Sequence, residues 1–234
     1  MATQTLITPT RDPLALSPTR TARHLPTPTL LLAGVLAGPV YLVVGALQAL
    51  TRPGFDLTRH DLSLLANGPL GWIQTANFLA TGLLVLAGAL GIRRTLQRRP
   101  GGIVLSLWLG LYGLGLIGAG LFRADPAFGF PPGTPATAHA ISGHGLLHII
   151  CGGLGFLALI AACLVTARRC AARGHHGWAV WSAATGIVFC AAFAGIATGS
   201  DRSAIVLAFY GAVALAWTWL SALSARLRTD PAFI

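Results

Sequence analysis

Six long apolar runs, separated by short polar segments, dominate the pattern of this 234-residue chain. Each run has about the 20 residues that an α-helix needs to cross the roughly 30 Å hydrocarbon core of a bilayer. The sequence therefore predicts an all-α fold, an integral membrane bundle of six transmembrane helices. The predicted spans are Leu30–Leu50, Trp72–Ile92, Ile103–Phe122, Gly143–Ala167, Trp178–Thr198 and Ala204–Ser224.

The polar ends of the chain lie outside this transmembrane domain, which we assign to residues 30–225. Residues 1–29 alternate Thr, Pro and Arg without an apolar core run, so they lack the pattern of a cleavable signal peptide. A segment of this composition buries too little apolar surface to fold, and we expect a disordered cytoplasmic tail. Residues 226–234 are predicted to form a second, short cytoplasmic tail.

The arginines are distributed unequally between the two sides of the predicted bundle. Twelve of the sixteen fall in the two terminal segments and in the second and fourth connections, and four fall in the other connections. Short loops rich in Arg resist translocation across the membrane. We therefore expect a multi-pass protein of the plasma membrane with both the N-terminus and the C-terminus in the cytoplasm.

Composition supports a membrane protein and argues against a nucleic-acid partner. Only 9% of the residues are charged, and the net charge of +10 comes entirely from arginine because the chain has no lysine. We interpret this charge as a consequence of topology, with anionic membrane lipid as the partner of the inner arginines. No basic groove interleaved with aromatic residues and no recognition helix is present, so no nucleic-acid partner is expected. A membrane-protein partner or a homo-oligomer is left open.

The two long outer connections have different patterns. In the first, Thr58 and Asp61 have the spacing of a capping box, and Asn67-Gly68-Pro69 is a stop signal. They predict a short helix over residues 59–66 with its leucines on the membrane, and Arg59 is expected to pair with Asp125 or Asp201. The second connection is rich in Pro and Gly, which predicts a turn-filled cap anchored by Phe128 and Phe130.

Polar residues collect at the outer end of the bundle, while the middle thirds of the spans contain no charge. The lack of buried charge counts against a proton pump, a voltage sensor and an ion-coupled carrier. An outward-facing polar pocket is one interpretation of the outer residues; the other is that helix ends are polar in any membrane protein. The candidate pocket residues are Asp56, Arg59, His60, Asp61, Ser63, Gln74, Asn77, Asp125, His144, His148 and Asp201.

His144 and His148 are the sharpest pair, because residues four apart project from one helix face and could share a metal ion. Asp125 is a candidate third ligand, as are Asp61, His60 and Asp201. A partly solvated pair at the membrane boundary needs no metal, however, and the favoured interpretation is that no metal and no other cofactor is bound. Ser63, His60 and Asp61 lie too close together in one short segment to converge as a catalytic triad without strain.

Several segments together carry a likeness to a known family: 52–56, 60–65, 68–74, Asn77-Phe78, Gly120–Pro126, 129–133 and His148. Over about residues 30–225 the chain resembles the bacterial domain-of-unknown-function 998 family. The resemblance implies a six-span membrane protein without an established activity, and it assigns no catalytic role to any residue.

Two functions follow as expectations. The first is a non-enzymatic module whose outward-facing polar pocket binds a lipid headgroup or a small polar ligand, or docks a membrane partner. The alternative is a metal-dependent membrane hydrolase that acts at the outer leaflet, with His144 and His148 as ligands. The sequence contains no complete catalytic set, so whether the protein is an enzyme stays open.

Overall fold

A computed structural model describes residues 25–97, 101–137 and 141–234. Six long helices occupy most of this part of the chain, and each is long and apolar enough to cross a membrane. The predicted all-α, six-span fold is confirmed. The helices are α1 (Thr27–Thr51), α2 (Gly71–Leu96), α3 (Gly102–Leu121), α4 (Gly143–Ala172), α5 (His176–Ile196) and α6 (Ser203–Thr229).

The helices extend beyond the apolar runs mainly at the arginine-rich end of the bundle. There α2, α4 and α6 continue for four or five residues past the predicted spans, to Leu96, Ala172 and Thr229. Arginine side chains in a last helical turn interact favourably with the helix dipole and extend their charged ends into water. At the other terminus α1 begins at Thr27, so the end of the predicted tail is helical; residues 1–24 of that tail lie outside the described part.

The six helices form a closed ring. Each helix packs on the next in sequence, and α6 packs on α1 to close the ring. Glycines allow the closest approaches: a β-carbon on Gly34 would lie 2.5 Å from Ser224 Oγ, and one on Gly115 would lie 2.6 Å from the Cα of Gly155. In lipid, where no hydrophobic effect draws helices together, such small residues permit the close packing that stabilises a bundle.

Residues 230–234, within the predicted C-terminal tail, pack against the arginine-rich end. Phe233 is 2% exposed, and its ring centroid lies 4.8 Å from the His175 ring and 5.2 Å from the Trp178 ring. The guanidinium carbon of Arg226 lies 4.9 Å from the same Phe233 centroid. This segment therefore covers the end of the helix ring that lies opposite to the two long connections.

The first long connection differs from the prediction in two respects. Its helix is a 3-10 helix over Leu62–Ala66, and the capping residue is Asp61 rather than Thr58. Thr58 instead donates two hydrogen bonds to Asp56 Oδ1, from its backbone N–H (2.8 Å) and from Oγ1 (2.7 Å). The predicted capping box was therefore wrong, because Asp56 already holds Thr58 in a separate turn.

The leucines of this helix face the protein instead of the membrane. Leu64 and Leu65 are 3% and 0% exposed, and they pack in one apolar cluster with Phe130 of the second connection. Predicting them on the membrane was wrong because the second connection folds over the first and supplies an apolar partner. We call residues 52–70 and 122–137 together the cap.

Arg52 joins the two halves of the cap. Its guanidinium donates hydrogen bonds to the carbonyls of Leu65 (3.1 Å) and Asn67 (2.7 Å), and its Cζ lies 5.4 Å from the centroid of the Phe130 ring. The Asn67 side chain donates in turn to the Ala124 carbonyl at 3.1 Å. Burial lowers the pKa of Arg52 from its ordinary value. The predicted anchoring role of Phe130 in a turn-filled cap is confirmed.

Candidate ligand cavity

The ring of helices encloses a cavity of about 570 Å³ beneath the cap. All six helices contribute to its wall, and the cap contributes Asp61–Leu64 and Ala124–Phe128. Binding sites for small molecules have volumes of roughly 300–1,000 Å³, mostly apolar walls and a few placed polar groups. The cavity fits this description, and its wall has three zones: a polar mouth, an aromatic middle and a floor.

Four polar residues named by the sequence lie at the mouth, which is the end of the cavity formed by the cap: Asp61, Ser63, Asp125 and His148. The Asp61 Oδ1 atom accepts hydrogen bonds from the backbone N–H of Ser63 (3.0 Å) and from Ser63 Oγ. Within the described residues, its Oδ2 atom accepts none. One carboxylate oxygen at the mouth is therefore open to a ligand.

Asp125 connects the cap to the start of α4. Its two carboxylate oxygens accept hydrogen bonds from Ser142 N–H (2.8 Å) and Ser142 Oγ (2.6 Å), and Ser142 Oγ accepts one from Gly145 N–H at 3.0 Å. Gly145 is required for this contact, because a β-carbon there would overlap the Asp125 carboxylate. The negative charge also lies favourably at the positive end of the helix dipole.

His148 is held in one orientation. Its Nδ1 atom lies 2.9 Å from the carbonyl oxygens of both Ala119 and Phe122, at the end of α3. Because both partners are acceptors, Nδ1 carries a hydrogen, and in the neutral ring Nε2 is then an acceptor. In the part of the chain that the structure describes, Nε2 forms no hydrogen bond, so it is available in the cavity that His148 lines.

The middle of the cavity is aromatic. Phe156 of α4 packs edge-to-face on Phe189, Phe193 and Phe209, at centroid separations of 5.1, 5.2 and 5.8 Å. All four rings line the cavity. Such a wall suits an apolar part of a ligand and offers nothing to a hydrated ion.

The floor is formed by three aromatic residues with polar atoms, from three different helices. Trp217 of α6 lies between Tyr41 of α1 and Tyr112 of α3, with ring centroids 4.9 and 5.5 Å apart respectively. They are 2%, 7% and 3% exposed, and all three line the cavity. Sequence reasoning missed them because aromatic residues in apolar runs are indistinguishable from packing residues.

The cavity opens sideways, between the ends of α4 and α5 that lie near the cap. Ile149 and Gly152 of α4 line it, yet Ile149 is 55% exposed, and a β-carbon on Gly152 would meet nothing within 4 Å. On the α5 side, Ala197 and Thr198 line it and are exposed. We call this opening the portal.

Two predicted pocket residues lie elsewhere, between α1 and α2. Gln48 Nε2 donates to Gln74 Oε1 at 2.8 Å, and Asn77 Nδ2 donates to the Tyr41 carbonyl at 3.2 Å. Neither Gln74 nor Asn77 lines the cavity. Amides in lipid need partners; each of these found one in a neighbouring helix.

Three other predicted residues, Asp56, Arg59 and His60, lie in the cap. His60 is buried, with Nδ1 accepting from Asp56 N–H (2.9 Å) and Nε2 lying 3.0 Å from the Phe128 carbonyl, so it holds the two connections together. Asp56 is exposed, and hydrogen bonds from the Thr58 side chain and backbone lower its pKa below the ordinary value. None of these side chains lines the cavity.

Arg59 pairs with Asp201 at 3.2 Å, one of the two predicted partners. The two side chains are 42% and 46% exposed, so the pair contributes little to stability. It connects the cap to the start of α6.

His144 and His148 do not form a metal site together with a third side chain of the described residues. His144 is exposed and packs on the Phe122 ring, with centroids 5.9 Å apart. Among the described residues, no group of three His, Cys, Asp or Glu side chains is placed to hold a metal ion. The metal hypothesis stays a prediction without a complete ligand set to support it.

The geometry defines a class: a multi-pass membrane protein whose ring of six helices encloses a capped cavity. The family model "Protein of unknown function (DUF998)" matches residues 35–226, so the chain belongs to the DUF998 family, and the predicted resemblance is confirmed. No curated protein and no solved structure matches the chain.

Proposed function

We propose that this protein is a membrane-embedded binding module that takes an amphiphilic, lipid-like molecule into the cavity. One observation carries the proposal: a single enclosed volume joins an aromatic interior to a polar mouth, with Asp61, Asp125 and His148 at the same end. An amphiphile has the matching division between an apolar body and a polar group. A ligand of this kind enters from the bilayer through the portal between α4 and α5.

The charges at the mouth select the polar group. Asp61 and Asp125 line the cavity, and none of the arginines that the structure describes does. An anionic headgroup would meet charge of the same sign in a poorly hydrated site, whereas a cationic or hydrogen-bond-donating group would meet open acceptors at Asp61 Oδ2 and His148 Nε2. We therefore propose a neutral polyol or cationic headgroup.

Binding, rather than catalysis, fits the state of the polar groups. Ser63 donates its hydroxyl hydrogen to Asp61, and His148 Nδ1 is occupied by two carbonyls of α3. Neither a histidine nor a lysine is hydrogen-bonded to Ser63 in the described part of the chain, so the arrangement lacks the serine–histidine pair typical of an acyl-transfer enzyme. Both side chains instead have fixed positions from which to contact a bound polar group.

Native mass spectrometry of the purified protein tests the proposal with three compounds of equal chain length: 1-O-hexadecylglycerol, hexadecylamine and hexadecanoate. We expect saturable adducts of the first two and weaker binding of the anion. Gly152→Phe fills the portal and is expected to reduce binding at least about tenfold, a change of about 1.4 kcal/mol.

Gly211→Phe is the matched control. Gly211 lies inside α6, its β-carbon would also meet nothing within 4 Å, and it does not line the cavity. Equal binding by both variants and the parent protein would refute the cavity as the site. Strongest binding of hexadecanoate would refute the proposed headgroup class.

A further inference from the structure

The floor of the cavity has polar atoms that the protein leaves unused. The hydroxyls of Tyr41 and Tyr112 and the indole N–H of Trp217 form no hydrogen bond with any residue the structure describes, although these side chains are more than nine-tenths buried. Each of the three polar atoms keeps some accessible surface, and all three side chains line the cavity. A bound ligand could therefore reach them.

Two comparable groups on α6 are used within the protein. Tyr210, which also lines the cavity, donates its hydroxyl hydrogen to the His60 carbonyl at 2.7 Å. Trp219, on the same helix as Trp217, donates to Ser182 Oγ at 3.0 Å. The three unpartnered groups of the floor differ from these two, and an unmade buried hydrogen bond carries the full desolvation penalty of the group.

The floor lies near the middle of the membrane-spanning helices. Tyr41 is about 15 Å along the helix axis from the end of α1 at Thr51, and Tyr112 is about 14 Å from the end of α3 at Leu121, at a rise of 1.5 Å per residue. These distances are close to half of a roughly 30 Å hydrocarbon core. A plain acyl chain that reached this depth would leave all three groups unpaired.

We propose that the floor is a second recognition site, which binds an uncharged carbonyl or hydroxyl oxygen on the buried part of the ligand. All three groups donate hydrogen bonds, and the acidic side chains of the cavity lining, Asp61 and Asp125, belong to the cap rather than to the helices that form the floor. A neutral oxygen acceptor satisfies these donors without bringing a charge into the bundle. The inference rests on the proposed function, and it narrows the ligand to an amphiphile with an oxygen within its apolar part.

The test uses fluorine NMR on protein labelled with 5-fluorotryptophan and reconstituted in lipid nanodiscs. The chain has six tryptophans, and Trp217→Phe identifies the resonance of the floor. Hexadecan-2-one and hexadecane are the test compounds, since they have equal chain length and differ by one carbonyl. We expect a saturable shift of the Trp217 resonance with the ketone and a much smaller one with the alkane.

Tyr41→Phe with Tyr112→Phe keeps both rings and their packing on Trp217 but removes the hydroxyls. We expect this double variant to bind the ketone at least about tenfold more weakly, or about 1.4 kcal/mol. Tyr210→Phe is the matched control, because its hydroxyl is already used within the protein, and ketone affinity should be unchanged.

The outcomes separate the two proposals. Saturable shifts of equal size with ketone and alkane, unchanged in the double variant, would overturn the floor site and leave the cavity as a binding site. The absence of a saturable shift with either compound, together with the lack of adducts in mass spectrometry, would overturn both. A tenfold loss confined to the double variant supports the floor site.

Discussion

Gly145 lies against the carboxylate of Asp125, and the contact leaves no room for a β-carbon. It allows Asp125 to bind both polar atoms of Ser142, which in turn caps α4. One residue without a side chain therefore lets the second connection of the cap and the start of α4 come together at the mouth of the cavity.

Gly145→Ala is expected to displace Asp125 and weaken the α4 cap. The loss of an N-cap costs roughly 1–2 kcal/mol, and the thermal midpoint in detergent should fall accordingly. Gly143→Ala is the matched control, two residues earlier in the same turn, because its β-carbon would meet nothing within 4 Å. Equal midpoints for the two variants would contradict the role of the contact.

Arg52→Met is expected to loosen the cap. The substitution keeps much of the apolar side chain but removes the donors to the Leu65 and Asn67 carbonyls, and hydrogen bonds of charged groups contribute roughly 1.5–3 kcal/mol. Chemical denaturation should show a loss of this order. Arg123→Met, an exposed arginine in the other half of the cap, should change the free energy of unfolding by under about 0.5 kcal/mol.

Asp61 and Arg59 are neighbours with different expected contributions to stability. Asp61→Ala removes the cap of the 3-10 helix and should cost roughly 1–2 kcal/mol. Arg59→Ala breaks only a half-exposed ion pair and should cost under about 1 kcal/mol. Thermal melts of the two variants, compared with the parent protein, measure the difference.

Asp61→Asn separates the two roles of Asp61, which are to cap the 3-10 helix and to place a negative charge at the mouth of the cavity. Asparagine caps helices about as well as aspartate, so stability should stay near that of the parent protein. The preference for hexadecylamine over hexadecanoate, measured by native mass spectrometry, should decrease because one of the two cavity carboxylates is gone. An unchanged preference would argue against contact between Asp61 and the headgroup.

The orientation in the membrane is tested with reporter fusions. With the arginine-rich end in the cytoplasm, fusions after Arg94 or Arg173 should give cytoplasmic fluorescence, and fusions within residues 124–140 should give active phosphatase. The opposite result at these sites would reverse the topology and place the cap on the cytoplasmic side.

The metal hypothesis is tested by the zinc content of the purified protein. We expect less than stoichiometric zinc, because the two histidines lack a third ligand among the described residues, whereas structural and catalytic zinc sites use three or four. Stoichiometric zinc that is lost in both His144→Ala and His148→Ala would instead favour the hydrolase.

The sequence by itself determined the number of spans, their approximate bounds and the end of the bundle at which the polar candidates collect. The hydropathy of a segment is the sum of its residues and needs no knowledge of the fold. In lipid every backbone N–H and C=O must form a hydrogen bond within the protein, so a run of about 20 apolar residues that crosses the bilayer forms an α-helix. Asp61, Ser63, Asp125 and His148 could be placed at one end of the bundle for the same reason, since each lies in one of the two long connections or near the start of the fourth predicted span.

Only the tertiary structure decided which faces of the helices meet. The spans are apolar on every side, so no polar stripe marks an inner face in the sequence. Close glycine contacts between helices fix how each helix is rotated. This rotation brings Tyr41, Tyr112 and Trp217 to one floor and keeps Gln74 and Asn77 out of the cavity. Those contacts join residues far apart in the chain, and a pattern read along the chain contains no information about them.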